Sequence, residues 1–293
     1  MKPLLVAVMG PTASGKTALA EGIADKLQAK LINADTFQCY RHLDIGTAKP
    51  ERTENYALID IADPTELLGV GEWVKRADAT LDRSQNAVIV GGSGLNIRAL
   101  LEGYGEMHGP PPAGLRERLN ATPLPELVAE LNSLDAAVAE KVDIKNPVRV
   151  TRAIERFHSQ RLETAVPDLS AYRIVKFGLD ASQQWLSNRI SRRTHEMIQM
   201  GWLDEVAKLR SLGFKASDPG MKAHGYRSLW EVLEGTKTLE DAEEEISIMV
   251  RQYAKRQRTW LRAEPNLCKI WAEDGRRSIE SVLSHLSKAG CYG

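Results

Sequence analysis

Gly10, Pro11, Thr12, Ala13, Ser14, Gly15, Lys16 and Thr17 follow one another in the pattern G-x-x-x-x-G-K-T. Those residue types at that spacing suit the binding of a polyphosphate. The glycines let the backbone curl so that successive N–H groups point into one cavity. A helix beginning there adds the positive end of its dipole. Lys16 supplies a mobile charge, and the Thr17 hydroxyl can hold Mg²⁺. The pattern leaves the polyphosphate unnamed. A nucleotide kinase or ATPase also needs an acid after an apolar strand to hold the metal. Asp60, after Leu58 and Ile59, is the candidate, because the run 88–90 leads into Gly91-Gly92-Ser93-Gly94 with no acid. Asp35 closes the apolar run 31–34. Ligands of open parallel sheets bind beyond the carboxyl ends of the strands. Asp35 is therefore expected on the rim that carries the loop, where it could take a proton from a nucleophile or simply cap a turn.

The elements that must position these groups are legible as short apolar runs at 4–9, 31–34, 58–61 and 87–90, which read as buried strands. Helical spacing occupies 16–27 and 72–83 between them. Strand alternating with helix implies a parallel sheet covered on both faces, an α/β class. Gly109 and Pro110 to Pro112 end the alternation, and helical segments without strand signals continue to about 170. A strand-like run at 173–179 and four helical stretches follow. The expected organisation is an α/β core from 1–104 and 171–293 with an inserted helical domain at 105–170.

At 293 residues, with 43% hydrophobic and 27% charged, the chain can bury a large core and needs no disulfide staple. Its three cysteines, Cys39, Cys268 and Cys291, are scattered and suit reduced thiols in a cytoplasm. The apolar run 4–9 is far short of the ~20 residues that span a bilayer, and short for a signal peptide. Neither membrane nor export is expected. The 39 Lys and Arg balance the 39 Asp and Glu, which excludes nucleic-acid binding by bulk charge and leaves local stripes.

Two such stripes exist. A helix over 239–261 turns Ala242, Ile246, Val250, Tyr253, Gln257 and Trp260 to one side and Arg251, Lys255, Arg258 and Arg262 to the other. Arg149, Arg152, Arg156 and Arg161 follow Asn146-Pro147. Either is a solvated face or a phosphate track. Ser182 could cap a helix to about 200 whose apolar stripe, Leu186, Ile190 and Met197, is interrupted by Arg193. A charge there either finds an anion or snorkels to the edge. The six histidines show no metal spacing and read as surface or packing residues. The six tryptophans read as core, with Trp202 and Trp230 as candidates for lining a groove.

The stretch from Asp35 through Gln38, Tyr40, Asp44-Ile45-Gly46-Thr47-Ala48-Lys49-Pro50 resembles the second signature of the tRNA dimethylallyltransferases, D-S-x-Q-x-Y-x-x-x-D-I-G-T-A-K-P. The likeness continues collinearly through Asp63-Pro64, Gly91 to Leu95, Asp204-Glu205-Val206, Gly225-Tyr226 and Arg251 to Gln257. Thr36 stands for the usual serine, Ser93 for a threonine and Asn96 for a tyrosine, and the insertion is shorter than usual. The absence of zinc-finger spacing near the end suits a bacterial-type member.

The resemblance implies a P-loop NTPase-like core and a transferase. Its members move a dimethylallyl group from dimethylallyl diphosphate to the exocyclic amine of the adenosine 3′ of the tRNA anticodon. The loop, with Arg193 and Mg²⁺, would hold the diphosphate, and Asp35 would be the base. Thr36, Phe37 and Gln38 would receive the adenine, and Ser93 would keep a donor near the substrate channel on the tRNA side. Arg116, Val148 to Arg152 (with Arg149, Val150 and Thr151), and Lys222 to Arg227 (with Ala223, His224, Gly225 and Tyr226) would grip the anticodon stem-loop. A monomer is expected. Two rivals remain: a small-molecule or nucleotide kinase using the same loop, and a non-catalytic RNA-binding module.

Overall fold

A computed structural model describes all residues except 1, 104–106, 110, 163–165, 275–279, 283, 285 and 287–293. The chain forms two compact units, one from Met1–Glu102 with Pro167–Gly293 and one from Gly103–Val166.

The larger unit opens with β1 (Leu4–Met9), α1 (Lys16–Leu27), β2 (Lys30–Asn33), β3 (Tyr56–Ala57), α2 (Val70–Thr80), β4 (Ala87–Gly91) and α3 (Gly94–Glu102). The smaller unit contributes β5 (Met107–His108), α4 (Leu115–Ala121), α5 (Leu124–Leu134), α6 (Ala136–Ala139), α7 (Pro147–His158) and β6 (Arg161–Leu162). The larger unit resumes with β7 (Arg173–Asp180), α8 (Gln183–Gln199), α9 (Trp202–Ser211), α10 (Tyr226–Leu233), α11 (Leu239–Arg262) and β8 (Leu267–Trp271).

Six strands form one parallel sheet in the order β3-β2-β4-β1-β7-β8. The central strands are apolar at every position because both faces are covered. Leu4, Val6 and Val8 of β1 pack with α1 on one face, while Leu5, Ala7 and Met9 pack with Trp73, Ala77, Ile97 and Leu100 on the other. A third core, around Trp202, Tyr226, Leu229 and Ile246, joins α9, α10 and α11 beyond the sheet. The smaller unit closes over Leu119, Leu127, Leu131, Val150 and Ile154.

Three expectations need correction. The run at 58–61 is a turn, not a strand: only Tyr56 and Ala57 pair with β2, while Leu58 (φ 67°) and Asp60 (φ 55°) are left-handed. Burial of Leu58 and Ile59 explains the apolar pattern without a ladder. The last helical stretch is followed by a sixth strand, β8, whose half-buried edge position gives it the mixed sequence LCKIW. The inserted segment, expected to lack strands, carries the antiparallel pair β5–β6 at its ends.

Candidate active site

β1 ends at Met9 and the chain turns through the glycine-rich loop into α1. Gly15 caps the helix at φ 92°, in the left-handed region glycine enters without strain. Gly10 lies so close to β7 that a Cβ would come within 2.7 Å of the Leu179 carbonyl. Ser14 Oγ is buried without a hydrogen-bond partner, and Lys16 Nζ donates to the Pro11 carbonyl at 2.9 Å. Burial pushes the Lys16 ammonium down to about 8, with Asp35 acting against that shift and Arg193 reinforcing it.

Two strands away, the chain leaves β2 and turns at Asp35. Asn33 holds this turn: its Oδ1 accepts from the Asp35 N–H at 2.9 Å and its Nδ2 donates to the Asp35 and Leu58 carbonyls. One Asp35 oxygen accepts from the Phe37 N–H at 3.1 Å. The Thr36 hydroxyl lies 2.9 Å from that of Ser93 and receives a 3.4 Å contact from Asn96 Nδ2. Gln38 Nε2 donates to the Thr47 and Ala48 carbonyls, which fastens the loop after β2.

α8 and α11 close the remaining side. Arg193, half-buried on α8, is held below its ordinary range by burial and by Arg189, and Asp35 opposes this. Arg189 Nε donates to the Ala13 carbonyl at 2.8 Å while its guanidinium stacks 4.6 Å from the Trp185 ring. Gln257 accepts from the Thr12 N–H at 2.8 Å. Tyr253 lies beside the His224 ring, centroids 4.7 Å apart; burial and then Asp35 raise its phenol, while burial and then Arg256 lower His224.

These elements enclose a cavity of about 130 Å³ lined by Lys16, Thr17, Asp35, Phe37, Gln38, Arg193, His224, Tyr253 and Gln257, with Ile190, Met197, Trp202, Ile246 and Val250 as apolar wall. The sequence sets Gln257 and Tyr253 on the apolar face of α11, in helical register with buried Ile246, and carries no sign of what that face meets. Trp202 does line the cavity, whereas Trp230 is buried beside Arg210.

Other assignments change with the geometry. Asp60 does not line the cavity, and its Oδ1 pairs with Lys49 Nζ at 2.5 Å. Cys39 is buried and its thiol is pushed up to about 12, while Cys291 lies outside the described residues. In the 239–261 stripe, Arg258 is bonded to Asp180 at 2.6 Å and Arg251 to Ser191 Oγ at 3.0 Å, so these two brace α11 and are not free for a phosphate. Tyr226 is fully buried and donates to Glu205 Oε1 at 2.6 Å; Ala223 is buried too. Both hold their segment in place, leaving exposed Lys222 and Arg227 as its outward cations. Gly225, at φ 96°, packs on the Trp202 ring. In the smaller unit Val150 is core, Arg116 makes a two-point pair with buried Glu155 (2.5 and 3.1 Å), and Val148, Arg149 and Arg152 face outward.

A parallel sheet whose first strand runs into a phosphate loop, faced by a carboxylate from a neighbouring strand end, defines an α/β protein of the P-loop NTPase-like class. The IPP transferase family model matches residues 38–264, and an isopentenyl transferase model matches residues 3–58. The chain belongs to the IPP transferase family, the tRNA dimethylallyltransferases. It is 38% identical to the tRNA dimethylallyltransferase of Gloeobacter violaceus over 94% of this chain and 95% of that protein. The solved tRNA isopentenylpyrophosphate transferase of Bacillus halodurans matches with a TM-score of 0.73 at 31% identity, covering 98% of this chain and 96% of the other. A eukaryotic dimethylallyltransferase acting on tRNA shares the fold, with a TM-score of 0.76 at 19% identity over 99% of this chain and 80% of its own.

Proposed function

We propose that this chain carries out the family's transfer, from dimethylallyl diphosphate to the exocyclic amine of the adenosine 3′ of a tRNA anticodon, in the cavity just described. The observation that carries the assignment is the convergence of Lys16, Thr17, Arg193 and Asp35 on that one cavity. The loop N–H groups, Lys16 and Arg193 bind the diphosphate and stabilise the charge that grows on it as the allylic C–O bond breaks. The buried, unpartnered Ser14 hydroxyl and the cationic donors suit a polyphosphate with Mg²⁺. Among the described residues no cluster of His, Cys, Asp or Glu could hold a metal alone. Thr17 would therefore hold Mg²⁺ together with the substrate's own oxygens, and the bound ion would neutralise leaving-group charge.

The apolar wall of Ile190, Met197, Trp202, Ile246 and Val250 accepts the five-carbon group. The target base must be turned out of its stack to reach Asp35. Its amine forms the C–N bond, diphosphate leaves with the C–O electron pair, and the amine proton passes to the Asp35 oxygen not committed to Phe37. Thr36 and Ser93, joined by their hydroxyls, and Gln38 form the edge that receives the adenine. Within the smaller unit Arg116, Val148, Arg149, Thr151 and Arg152 form one tRNA-gripping segment, and within the larger unit Lys222, His224 and Arg227 form another. The protein acts as a cytoplasmic monomer. No helix among the described residues is long and apolar enough to cross a membrane.

Radiolabelled dimethylallyl diphosphate, Mg²⁺ and unmodified tRNA test the reading. Label should enter the tRNA and should not enter one whose target adenosine is guanosine. ATP-dependent phosphorylation of a small acceptor with no transfer to tRNA would replace this reading with the kinase one. Salt-sensitive tRNA binding with no turnover would leave a binding module.

A further inference from the structure

The glycine-rich turn that begins at the end of β4, Gly91 to Gly94, has no part in holding the diphosphate, yet its backbone is tightly occupied. A Cβ at Gly92 would come within 2.1 Å of Gln257 Nε2, and one at Gly94 within 2.2 Å of the Trp260 ring. The turn is therefore the seat of α11, and Gln257 is the side chain at the centre of that seat. Its two amide ends go to two different turns, those that follow the paired neighbouring strands β1 and β4. Oε1 accepts from the Thr12 N–H of the phosphate loop at 2.8 Å, and Nε2 donates to the Gly92 carbonyl at 3.0 Å. The amide orientation is fixed by its partners, since a backbone N–H can only donate and a carbonyl can only accept. Gly92 immediately precedes Ser93, whose hydroxyl meets that of Thr36 next to Asp35. One buried amide thus ties the loop assigned to the donor to the edge assigned to the acceptor.

We infer that Gln257 is a positioning residue that sets the distance and angle between the allylic carbon on the phosphate loop and the adenine amine beside Asp35. The inference rests on the proposed function. Among side chains of this length, glutamine alone offers both a neutral acceptor and a donor at its tip. Glutamate has the same shape but turns an acceptor toward the Gly92 carbonyl, and methionine removes both contacts while filling similar space. Attack across two separately bound substrates depends on their alignment, and a misplacement of about 1 Å costs on the order of 100-fold in rate. Loss of the tie leaves each half-site intact while loosening their mutual geometry.

The test compares wild type, Gln257→Met and Gln257→Glu by single-turnover transfer, by donor and tRNA affinities, and by hydrolysis of dimethylallyl diphosphate. In hydrolysis water replaces the amine: its oxygen bonds the allylic carbon, diphosphate leaves, and a proton is released. Gln257→Met is expected to lose about 100-fold in transfer rate with both affinities within about threefold of wild type, so that the ratio of hydrolysis to transfer rises. Gln257→Glu should be no better than Gln257→Met, although it keeps an acceptor for Thr12. Transfer at the wild-type rate in Gln257→Met overturns the inference. So does a parallel fall of hydrolysis and transfer that follows the folded fraction measured by thermal melting, the result a merely structural residue would give. Absence of transfer in wild type would instead overturn the proposed function.

Discussion

Replacing Asp35 by asparagine isolates the proton-accepting role with the least disturbance. The Asp35 oxygen that accepts from the Phe37 N–H has a counterpart in the asparagine carbonyl, so the turn after β2 keeps its hydrogen bond. What disappears is the negative charge and the site for the amine proton. A positioned general base is worth about 10²–10⁴-fold, or about 2.7–5.4 kcal/mol of barrier at 1.36 kcal/mol per decade. A second effect follows from Lys16. Asp35 is the group that raises the Lys16 ammonium against burial, so its removal takes Lys16 below about 8. Lys16 then loses its proton at a lower pH, and donor binding in Asp35→Asn should weaken earlier on the alkaline side than in wild type. Single-turnover transfer with saturating donor and tRNA measures the rate free of binding, and a pH series of donor affinity measures the Lys16 effect. The expected result is a rate loss within that range, tRNA affinity within about threefold, and an acid-shifted loss of donor binding. A rate within tenfold of wild type at saturation would refute the assignment of Asp35 as base.

Lys16 in the wild-type protein should show two opposite dependences on pH. Its proton is bound more weakly in the folded chain than in the unfolded one, so rising pH through about 8 toward the ordinary lysine range stabilises the fold through this group. Over the same rise donor affinity falls as the charge is lost; calorimetric titration that finds donor affinity flat from pH 7 to 10 would contradict this. Gly46→Ala drives a Cβ to 2.1 Å from Nε1 of the fully buried Trp202. Overpacking costs about 1–3 kcal/mol, so thermal melting should show a midpoint several degrees lower. Arg116→Ala strips buried Glu155 of its two-point partner and should destabilise the RNA-free protein by about 1–3 kcal/mol in urea titration. Arg149→Ala, at an exposed position, should leave stability unchanged while weakening tRNA binding and lowering its salt slope by about 1.

The position of the glycine-rich loop, the place of Asp35 after a strand and the alternating core are legible because each depends on local pattern: a glycine spacing, a strand end, apolar runs buried on both faces. Arg193 was legible as a charge on an apolar stripe. What escaped was set by contacts distant in sequence. Leu58 and Ile59 are apolar because they fill the core, and only the left-handed backbone at Leu58 and Asp60 distinguishes their turn from a strand. The edge strand Leu267–Trp271 is half-buried and mixed in character, so it carries little period-2 signal. Arg258 looked like part of a solvent-facing stripe, but Asp180, at the end of β7, lies beneath it. Val150, Ala223 and Tyr226 fell inside motifs matched to RNA contacts, and burial shows them supporting exposed neighbours. Gln257 shared the face of apolar residues, and nothing local to α11 tells that its amide meets two glycine-rich turns 165 and 245 residues away.

If the loop and Asp35 serve one transfer, that transfer ends on one base. This is tested most directly by incubating the protein with unmodified tRNA, dimethylallyl diphosphate and Mg²⁺, digesting the RNA to nucleosides and fragments, and locating any new nucleoside by mass spectrometry. The expected products are N6-(dimethylallyl)adenosine at the position 3′ of the anticodon and diphosphate in equal amount, with no product from Asp35→Ala despite retained tRNA binding. Unmodified adenosine at that position after exhaustive incubation, or undiminished product with Asp35→Ala, would contradict the proposed transfer.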